Sequence, residues 1–244
     1  MKIIGVIPAR YHSSRLPAKP LADINGKPMV WHVWNQAVKA KVFSDIIVAT
    51  DDRRIVTALK KFPMHVMMTS KKHRNGTERI AEVAQKIPAD IVVNIQGDEP
   101  LLPIQNIRRC ITLCTQKNIN IATVAIKITD NKEIHDTAVV KTIISKEGKA
   151  LLFSRLPIPY HRDHTDRTPD YYKHIGLYAF KKRTLLHVVG LKPTMIEQAE
   201  KLEQLRWLYH GFVIHVARVQ KDSCGVDTPR DLSHVRKLLR KELK

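Results

Sequence analysis

The sequence predicts an α/β protein built on a three-layer, mostly parallel sheet. Through the first half of the chain, apolar strand-like runs alternate with segments whose apolar residues recur at helical spacing, an order typical of helices packed on a parallel sheet. The chain has 244 residues, of which 43% are hydrophobic, enough for one substantial core and a smaller appended element. We therefore expect a single domain over residues 1–244, with a strand-rich excursion at residues 120–180.

The first half contains the strands and helices that establish this alternation. Continuous apolar runs predict strands at residues 3–8, 45–49, 65–68 and 90–95. Helical spacing predicts helices at residues 30–40, 53–61, 75–87 and 104–114. The last helix carries Cys110 and Cys114 one turn apart. We interpret them as buried packing residues, because no second pair of cysteines and no histidine cluster has zinc spacing.

The second half contains more strands and fewer helices. Extended patterns at residues 121–126, 139–144 and 173–180 favour an antiparallel excursion or a dimerisation arm. Two helices and a strand are expected next. A terminal helix begins at Thr228-Pro229-Arg230-Asp231, where a capping hydroxyl precedes a proline and an acid. Its apolar face comprises Leu232, Val235, Leu238 and Leu239.

The formal net charge of +19 implies an affinity for anions but does not choose the anion. The basic segment 236–244 makes nucleic acid one candidate. Its lysines and arginines are more simply explained as the solvated side of the amphipathic terminal helix, and the sequence has no RNA-binding signature or zinc finger. We therefore expect no nucleic-acid partner.

The sequence also indicates a soluble protein of a reducing compartment. No run approaches the roughly 18 to 20 uninterrupted apolar residues of a membrane span, and the first residues form a strand-like run and not a signal segment. Three cysteines do not make a disulfide framework in a chain of this length. We expect a cytoplasmic protein without a membrane partner.

The loop after the first predicted strand carries the most specific chemistry. The sequence lacks a Gly-x-Gly-x-x-Gly turn and a P-loop, which argues against dinucleotide oxidoreductases and P-loop ATPases. Residues 8–20 place Arg10, Arg15 and Lys19 at the carboxyl end of a buried strand, where open α/β sheets bind ligands. Arginines grip phosphate oxygens in bidentate fashion, and a lysine supplies a compact charge. The loop therefore suits a triphosphate.

Ordered sequence blocks extend the argument from this loop to essentially the whole chain. They lie at residues 7–21, 24–29, 48–51, 76–79, 93–100, 150–155, 173–180, 201–206 and 225–229. Together they resemble the 3-deoxy-manno-octulosonate (Kdo) cytidylyltransferase family. The resemblance implies a nucleotide-diphospho-sugar transferase-like fold and a homodimer. It also implies Mg²⁺ as cofactor, CTP and Kdo as substrates, and release of pyrophosphate in a reaction that serves lipopolysaccharide biosynthesis.

The resemblance also implies roles for individual residues. Catalysis is expected of Lys19, Asp98, Asp227 and Arg10, with the metal held by Asp98 and Asp227. CTP is expected to contact Pro8, Ala9, Arg10, Arg15, Lys19, Thr50, Asp51, Gly76 and Gln96. The sugar is expected to contact Arg79, Gln96, Arg155, His174, Tyr178 and Glu203, with Arg155 pairing its carboxylate. Asp98 follows the strand at residues 90–95, so its carboxylate should enter the crevice of the Arg10 loop, where a hard oxygen ligand suits magnesium.

Some of these residues also have a purely structural interpretation. Asp227 precedes a helix, and aspartate is a common turn residue at such a position. His174 and Tyr178 share one strand face at even spacing and could pack there. Glu203 and Arg206 have the spacing of a helix-surface ion pair.

The sequence departs from the family pattern at three places. Ala18 replaces a usual glycine, a change that is modest at negative φ and strained at positive φ. Residues 133–139 and 194–197 also differ, and both segments belong to the sugar side and the dimer arm. An alternative acceptor, either 8-amino-Kdo or sialic acid, therefore stays open.

Overall fold

The computed structural model describes residues 1–12, 16–163 and 169–242. The chain forms two compact units, one of Met1–Arg108 with Ser223–Lys244 and the other of Arg109–Asp222. The strand-rich segment predicted at residues 120–180 belongs to the second unit. In the part of the chain that the structure describes, no helix combines the length and apolar character needed to cross a membrane.

The first unit contains a parallel sheet. The strands of the first unit are β1 (Ile3–Ala9), β2 (Asp23–Ile24), β3 (Lys27–Pro28), β4 (Asp45–Thr50), β5 (His65–Met68) and β6 (Ile91–Asn94). The parallel sheet consists of β1, β4, β5 and β6. β1 lies between β6 and β4, β5 pairs with β4, and all these pairs are parallel. The short strands β2 and β3 form an antiparallel hairpin. Ile4, Val6 and Ile7 are fully buried, because a parallel strand is covered on both faces.

The helices of the first unit begin where side chains satisfy their free backbone amides. They are α1 (Met29–Ala40), α2 (Arg53–Leu59), α3 (Gly76–Lys86) and α4 (Ile104–Thr115), in which the chain passes into the second unit. Asp52 accepts a hydrogen bond from the Arg54 amide at 2.9 Å, and Asn75 accepts one from the Glu78 amide at 2.9 Å. Both are N-caps, worth about 1 kcal/mol each. The predicted helices of this half are confirmed to within two residues at most ends.

Among its described residues, the second unit has five strands and four helices of its own. It contains β7 (Ile121–Lys127), α5 (Asn131–His135), β8 (Lys141–Ile144), β9 (Ala150–Ser154), β10 (Tyr172–Lys181), α6 (Lys182–Val188), α7 (Met195–Glu200), α8 (Gln204–Tyr209) and β11 (His215–Val219). β7 pairs antiparallel with β10 and parallel with β11. β8 pairs antiparallel with β10 and β9. Three helices, and not the predicted two, separate β10 from β11, because helices of six or seven residues carry little periodic signal.

The cysteines of α4 pack in the interior. Cys110 and Cys114 are fully buried, which confirms their interpretation as packing residues. Burial raises the pKa of the Cys110 thiol well above its usual range and that of Cys114 to about 11. Both thiols therefore stay protonated at neutral pH, the form that is a poor nucleophile and a poor metal ligand.

The terminal helix α9 (Pro229–Glu242) returns to the first unit. The Thr228 amide donates to Asp231 Oδ2 at 2.8 Å, and the Asp231 amide donates to Thr228 Oγ1 at 3.3 Å. This reciprocal pair confirms the predicted helix start. The buried residues Val226, Leu232 and Val235 pack with Ile24 and Met29, and this packing holds the segment before the helix in place.

Candidate active site

A cavity of about 460 Å³ lies in the first unit, where β1 and β6 end and α3 begins. Seven of the residues that line it were expected at the site from the sequence: Pro8, Arg10, Lys19, Gly76, Gln96, Asp98 and Asp227. The cavity is also lined by His12, Pro20, Met29, Asn75 and Gly97. Its position at the carboxyl ends of parallel strands is where open α/β sheets bind ligands.

The loop after β1 presents Lys19 to this cavity. The loop closes on itself through a bond from the Ala18 amide to the Tyr11 carbonyl at 3.2 Å. A single 3₁₀ turn, Lys19–Leu21, follows. Arg15, which the sequence assigns to the triphosphate, lies outside the described residues.

Lys19 joins the two aspartates that the sequence assigns to a metal. Its Nζ lies 2.6 Å from Asp98 Oδ2 and 2.8 Å from Asp227 Oδ1. Burial disfavours the charged ammonium, but the two carboxylates outweigh that effect and raise the pKa of Lys19. The three charges therefore lie at one point of the cavity wall, and Lys19 stays protonated at neutral pH.

A backbone contact brings Asp227 to Asp98 from the far end of the chain. The Val226 amide donates to the Asp98 carbonyl at 2.9 Å, and Ser223 Oγ donates to Glu99 Oε2 at 2.7 Å. The segment before α9 is thus tied to the loop after β6. Asp227 is the next residue after Val226, so this long-range backbone bond places its carboxylate at the cavity.

The donor set fits a hard divalent cation. Asp98 and Asp227 present carboxylate oxygens that converge on one position. Within the described ranges, no group of three or more His, Cys, Asp or Glu side chains could hold a metal ion. A Mg²⁺ ion typically takes one or two carboxylates and completes its shell with substrate phosphates and water. Two carboxylates that meet at Lys19 beside a cationic loop match that pattern.

Arg10 is held at the cavity by its own hydrogen bond. Its Nη2 donates to the His73 carbonyl at 2.7 Å. Burial, followed by the nearby Arg79 guanidinium, lowers the pKa of Arg10. A partly buried cation close to a second cation is stabilised by an anion, and a phosphate is a suitable one.

The N-terminus of α3 contributes a further electropositive element. Asn75, the N-cap, and Gly76, the first helical residue, both line the cavity. The first amides of a helix lack intrahelical partners and carry the positive end of the helix dipole. This geometry favours an anion in the cavity.

Gly97 lets the loop after β6 pack against the loop after β1. A Cβ atom on Gly97 would lie 2.6 Å from the Pro8 carbonyl oxygen, a separation that real Cβ atoms do not show. Gly97 has no role among the sequence predictions. A glycine directly after a buried apolar strand is the signal that could have identified it.

We expect Gly97→Ala to reduce both stability and activity, because the methyl group must displace the backbone of Pro8 or of Gly97. A loss of about 1–3 kcal/mol in the free energy of unfolding is expected, as for other overpacked positions, and urea titration would measure it. Gly225→Ala is the matched control, since a Cβ atom there meets nothing within 4 Å. Equal stabilities of the two variants would contradict the steric argument.

Ala18 adopts the left-handed backbone conformation, with φ 52° and ψ 31°. The departure from the family's glycine is therefore the strained case of the two that the sequence left open. A residue with a Cβ atom pays roughly 1–2 kcal/mol in this region.

We expect Ala18→Gly to increase the free energy of unfolding by about 1 kcal/mol, because it removes this strain. Chemical denaturation would measure the change. Ala22→Gly serves as control, because Ala22 has a φ of −54° and its replacement should destabilise the protein. Destabilisation by both substitutions would contradict a strained Ala18.

Four residues of the first unit that the sequence assigns to the substrates, Ala9, Thr50, Asp51 and Arg79, are not among those that line the cavity. Ala9 and Thr50 are buried, and the Thr50 carbonyl accepts from the Thr69 amide at 2.8 Å. Arg79, with a fully buried side chain, donates to Asp51 Oδ2 at 2.8 Å. The substrate contacts of these four residues stay predictions.

The remaining sugar-side residues belong to the second unit. His174 and Tyr178 lie on β10 with ring centroids 5.3 Å apart. The Tyr178 hydroxyl is buried without a partner of hydrogen-bond geometry, and burial raises its pKa well above its usual value. Arg155 donates to the carbonyls of Glu200 at 2.7 Å and Thr137 at 2.9 Å.

Arg206 is not the surface residue that its spacing from Glu203 allowed. Its side chain is 4% exposed, and its Nε donates to Glu197 Oε2 at 2.7 Å. Glu197 also forms a capping box with Thr194 at the start of α7. Arg206 therefore links α8 to α7, whose start, with Thr194 and Glu197, lies in one of the segments departing from the family pattern.

Comparison with known proteins identifies the family. The sequence profile of the cytidylyltransferase family matches residues 4–221. A 3-deoxy-manno-octulosonate cytidylyltransferase of Haemophilus ducreyi is 45% identical over 250 residues, which cover 98% of this chain and 98% of the relative. The chain belongs to the 3-deoxy-manno-octulosonate cytidylyltransferase family. This cytidylyltransferase is therefore a nucleotidyltransferase, as the sequence predicts.

Two solved structures are similar in fold to this cytidylyltransferase. One is a CMP:2-keto-3-deoxy-manno-octonic acid synthetase complexed with CTP, with a TM-score of 0.94, 40% identity, and coverage of 99% of this chain and 100% of that chain. The other is a 4-diphosphocytidyl-2C-methyl-D-erythritol synthase of Anaerococcus prevotii, with a TM-score of 0.64, 14% identity and 98% of both chains covered. The second likeness concerns the fold alone. The predicted α/β fold class is confirmed.

Proposed function

We propose that this protein transfers CMP from CTP to Kdo and releases pyrophosphate. The anomeric oxygen of Kdo forms a bond to the α-phosphorus, the bond between the α- and β-phosphates breaks, and the hydroxyl proton passes to solvent. The observation that carries the proposal is the convergence of Lys19, Asp98 and Asp227 in one cavity at the end of β1. The named relatives and the CTP complex of a similar structure support the same substrates.

The triphosphate binds between the loop after β1 and the N-terminus of α3. Arg10 and Lys19 pair with phosphate oxygens, and the α3 amides face the same anion. As the α–β bond breaks, charge grows on the leaving pyrophosphate, and fixed cations stabilise that charge without reorganising. Arg15, outside the described residues, is assigned the same role from sequence.

Asp98 and Asp227 hold Mg²⁺ in this proposal. When bound, the ion lowers the pKa of the attacking hydroxyl and shields the anionic phosphates. Lys19 contacts the same two carboxylates in the structure. Asp98 and Asp227 would hold the ion, and the Lys19 ammonium would pair with oxygens of the triphosphate.

The acidic sugar is assigned mainly to side chains of the second unit. Arg155 pairs with the carboxylate, and His174, Tyr178 and Glu203 contact ring hydroxyls. The buried Tyr178 hydroxyl, whose contact with Thr123 lacks full hydrogen-bond geometry, supports this assignment, because a ligand oxygen would satisfy it. Gln96 lines the nucleotide cavity and is assigned to both substrates.

A homodimer is part of the proposal. Among the described strands, β9 pairs only with β8, and it exposes Leu151 and Leu152. An exposed apolar edge strand invites pairing with a second copy. A cytoplasmic location and a role in lipopolysaccharide biosynthesis complete the proposal, which includes no nucleic-acid or membrane partner.

Pyrophosphate release with CTP and Mg²⁺ tests the function against a panel of Kdo, 8-amino-Kdo and sialic acid. We expect release with Kdo at a kcat/KM well above that with the other two acids. Release with another acid but not with Kdo would replace the acceptor while keeping CTP. Release with none of them would contradict the proposed reaction.

A further inference from the structure

Thr123 on β7 bonds to His174, one of the residues assigned to the sugar. Thr123 Oγ1 lies 3.0 Å from His174 Nε2 and 2.8 Å from the Leu177 carbonyl oxygen. Thr123 is fully buried. Thr123 is not among the site residues that the sequence predicts.

The two contacts specify which ring nitrogen carries the proton. A carbonyl oxygen only accepts hydrogen bonds, and a hydroxyl has a single hydrogen to donate. The Thr123 hydroxyl therefore donates to Leu177, and its oxygen accepts from His174 Nε2–H. A neutral imidazole has one N–H, so Nδ1 carries a lone pair and can only accept.

An irregularity in the sheet makes the Leu177 carbonyl available. The pairing of β10 with β7 shifts register between Ile175 and Tyr178, so the main chain there leaves the regular ladder. A bulge of this kind re-aims side chains beside functional sites. Here it lets one hydroxyl bond a main-chain carbonyl and a histidine at once.

The surroundings of His174 keep its ring uncharged and in place. The Phe153 ring packs against it at 5.0 Å and the Tyr178 ring at 5.3 Å. Burial lowers the pKa of His174 to about 3. The ring is therefore neutral at any pH at which the protein would work.

We propose that Thr123 is a positioning residue that fixes His174 as the Nε2–H tautomer, so that Nδ1 accepts a hydrogen bond from a hydroxyl group of the acidic sugar. The proposal rests on the proposed function and deepens it. The Nδ1 lone pair repels a carboxylate and accepts a hydrogen bond from a hydroxyl. His174 therefore binds a sugar hydroxyl, while Arg155 pairs with the carboxylate. Thr123 thereby contributes to acceptor specificity without contacting the acceptor.

Nitrogen chemical shifts of the imidazole measure the tautomer directly. We would label the histidines with ¹⁵N, identify the His174 signals by their loss in His174→Gln, and record long-range ¹H–¹⁵N spectra at neutral pH. The full-length protein is expected to show His174 as a single Nε2–H tautomer. Thr123→Val should give a mixture of tautomers, and Thr123→Ser should recover the single form.

Thr142→Val is the matched control. Thr142 is also buried and donates its hydroxyl to a main-chain carbonyl, that of Leu152 at 3.0 Å. Loss of this bond should leave the His174 tautomer unchanged. Thermal unfolding of each variant shows whether it is folded at the temperature of the spectra, and the His174 tautomer of the unaltered protein keeps the proposal falsifiable if Thr123→Val does not fold.

Kinetics give the second measurement. Thr123→Val should raise the KM for Kdo about tenfold, the effect of one lost neutral hydrogen bond of about 1.4 kcal/mol, with the KM for CTP changed less than about twofold. A His174 signal from the Nδ1–H form in the unaltered protein would overturn the proposal, as would an unchanged tautomer and KM in Thr123→Val. An unaltered protein with the expected tautomer but no Kdo-dependent release would contradict the proposed function alone.

Discussion

Lys19→Ala is expected to lower kcat by about 10²- to 10³-fold, the usual effect of removing one preorganised group that stabilises transition-state charge. In the structure the Lys19 ammonium touches both Asp98 and Asp227 at the wall of the cavity. Its loss removes the positive charge proposed to stabilise the leaving pyrophosphate. Pyrophosphate release at saturating CTP and Kdo measures the effect.

Magnesium binding distinguishes this role from general damage to the site. Without Lys19, two carboxylates face each other uncompensated, and a divalent cation relieves their repulsion. Mg²⁺ should therefore raise the Tm of Lys19→Ala more than that of the unaltered protein. Lys2→Ala is the control, since Lys2 precedes β1 at its opposite end. A kcat for Lys19→Ala within threefold of that for Lys2→Ala would contradict the assignment.

Asp98→Asn is expected to lower kcat by roughly 100-fold or more and to increase the Mg²⁺ concentration needed for half-maximal activity. The substitution keeps the shape of the side chain but removes one of the two carboxylates proposed to hold the ion. A Mg²⁺ titration of pyrophosphate release measures both quantities. The Tm of Asp98→Asn should respond to Mg²⁺ less than that of the unaltered protein, opposite to Lys19→Ala.

Asp90→Asn provides a control at the opposite end of β6. Asp90 lies at the start of β6, at the end away from the cavity, and is exposed. Its replacement should leave both the rate and the Mg²⁺ dependence unchanged. An unaltered Mg²⁺ dependence in Asp98→Asn, combined with a normal rate, would show that Asp98 does not hold the metal.

The residues that line the cavity at the end of β1 could be predicted from sequence because their signals are local. Arg10 and Lys19 belong to one short loop after a buried apolar strand, and parallel strands present their carboxyl ends at the same edge. The cap at Asn75 and the helix start at Thr228 are equally local patterns. Each of these was assigned from a few neighbouring residues, and each lies where the sequence placed it.

Other features depend on residues that are distant in sequence. The resemblance assigns Arg79 to the sugar, and only the structure shows that its guanidinium is buried beside Asp51. Gly97 acquires its importance only from the Pro8 carbonyl that packs against it. Thr123 is an ordinary strand residue until the bulge of β10 brings the Leu177 carbonyl to it.

By itself, the sequence determined the α/β class, the order of most elements, the cationic loop and the family, because these reside in periodicity and in contiguous motifs. Only the tertiary structure decided that Ala18 has positive φ and that Lys19 meets an aspartate 208 positions away. The physical reason is that side-chain periodicity reports which face of an element is buried. It carries no information on which distant partner buries that face.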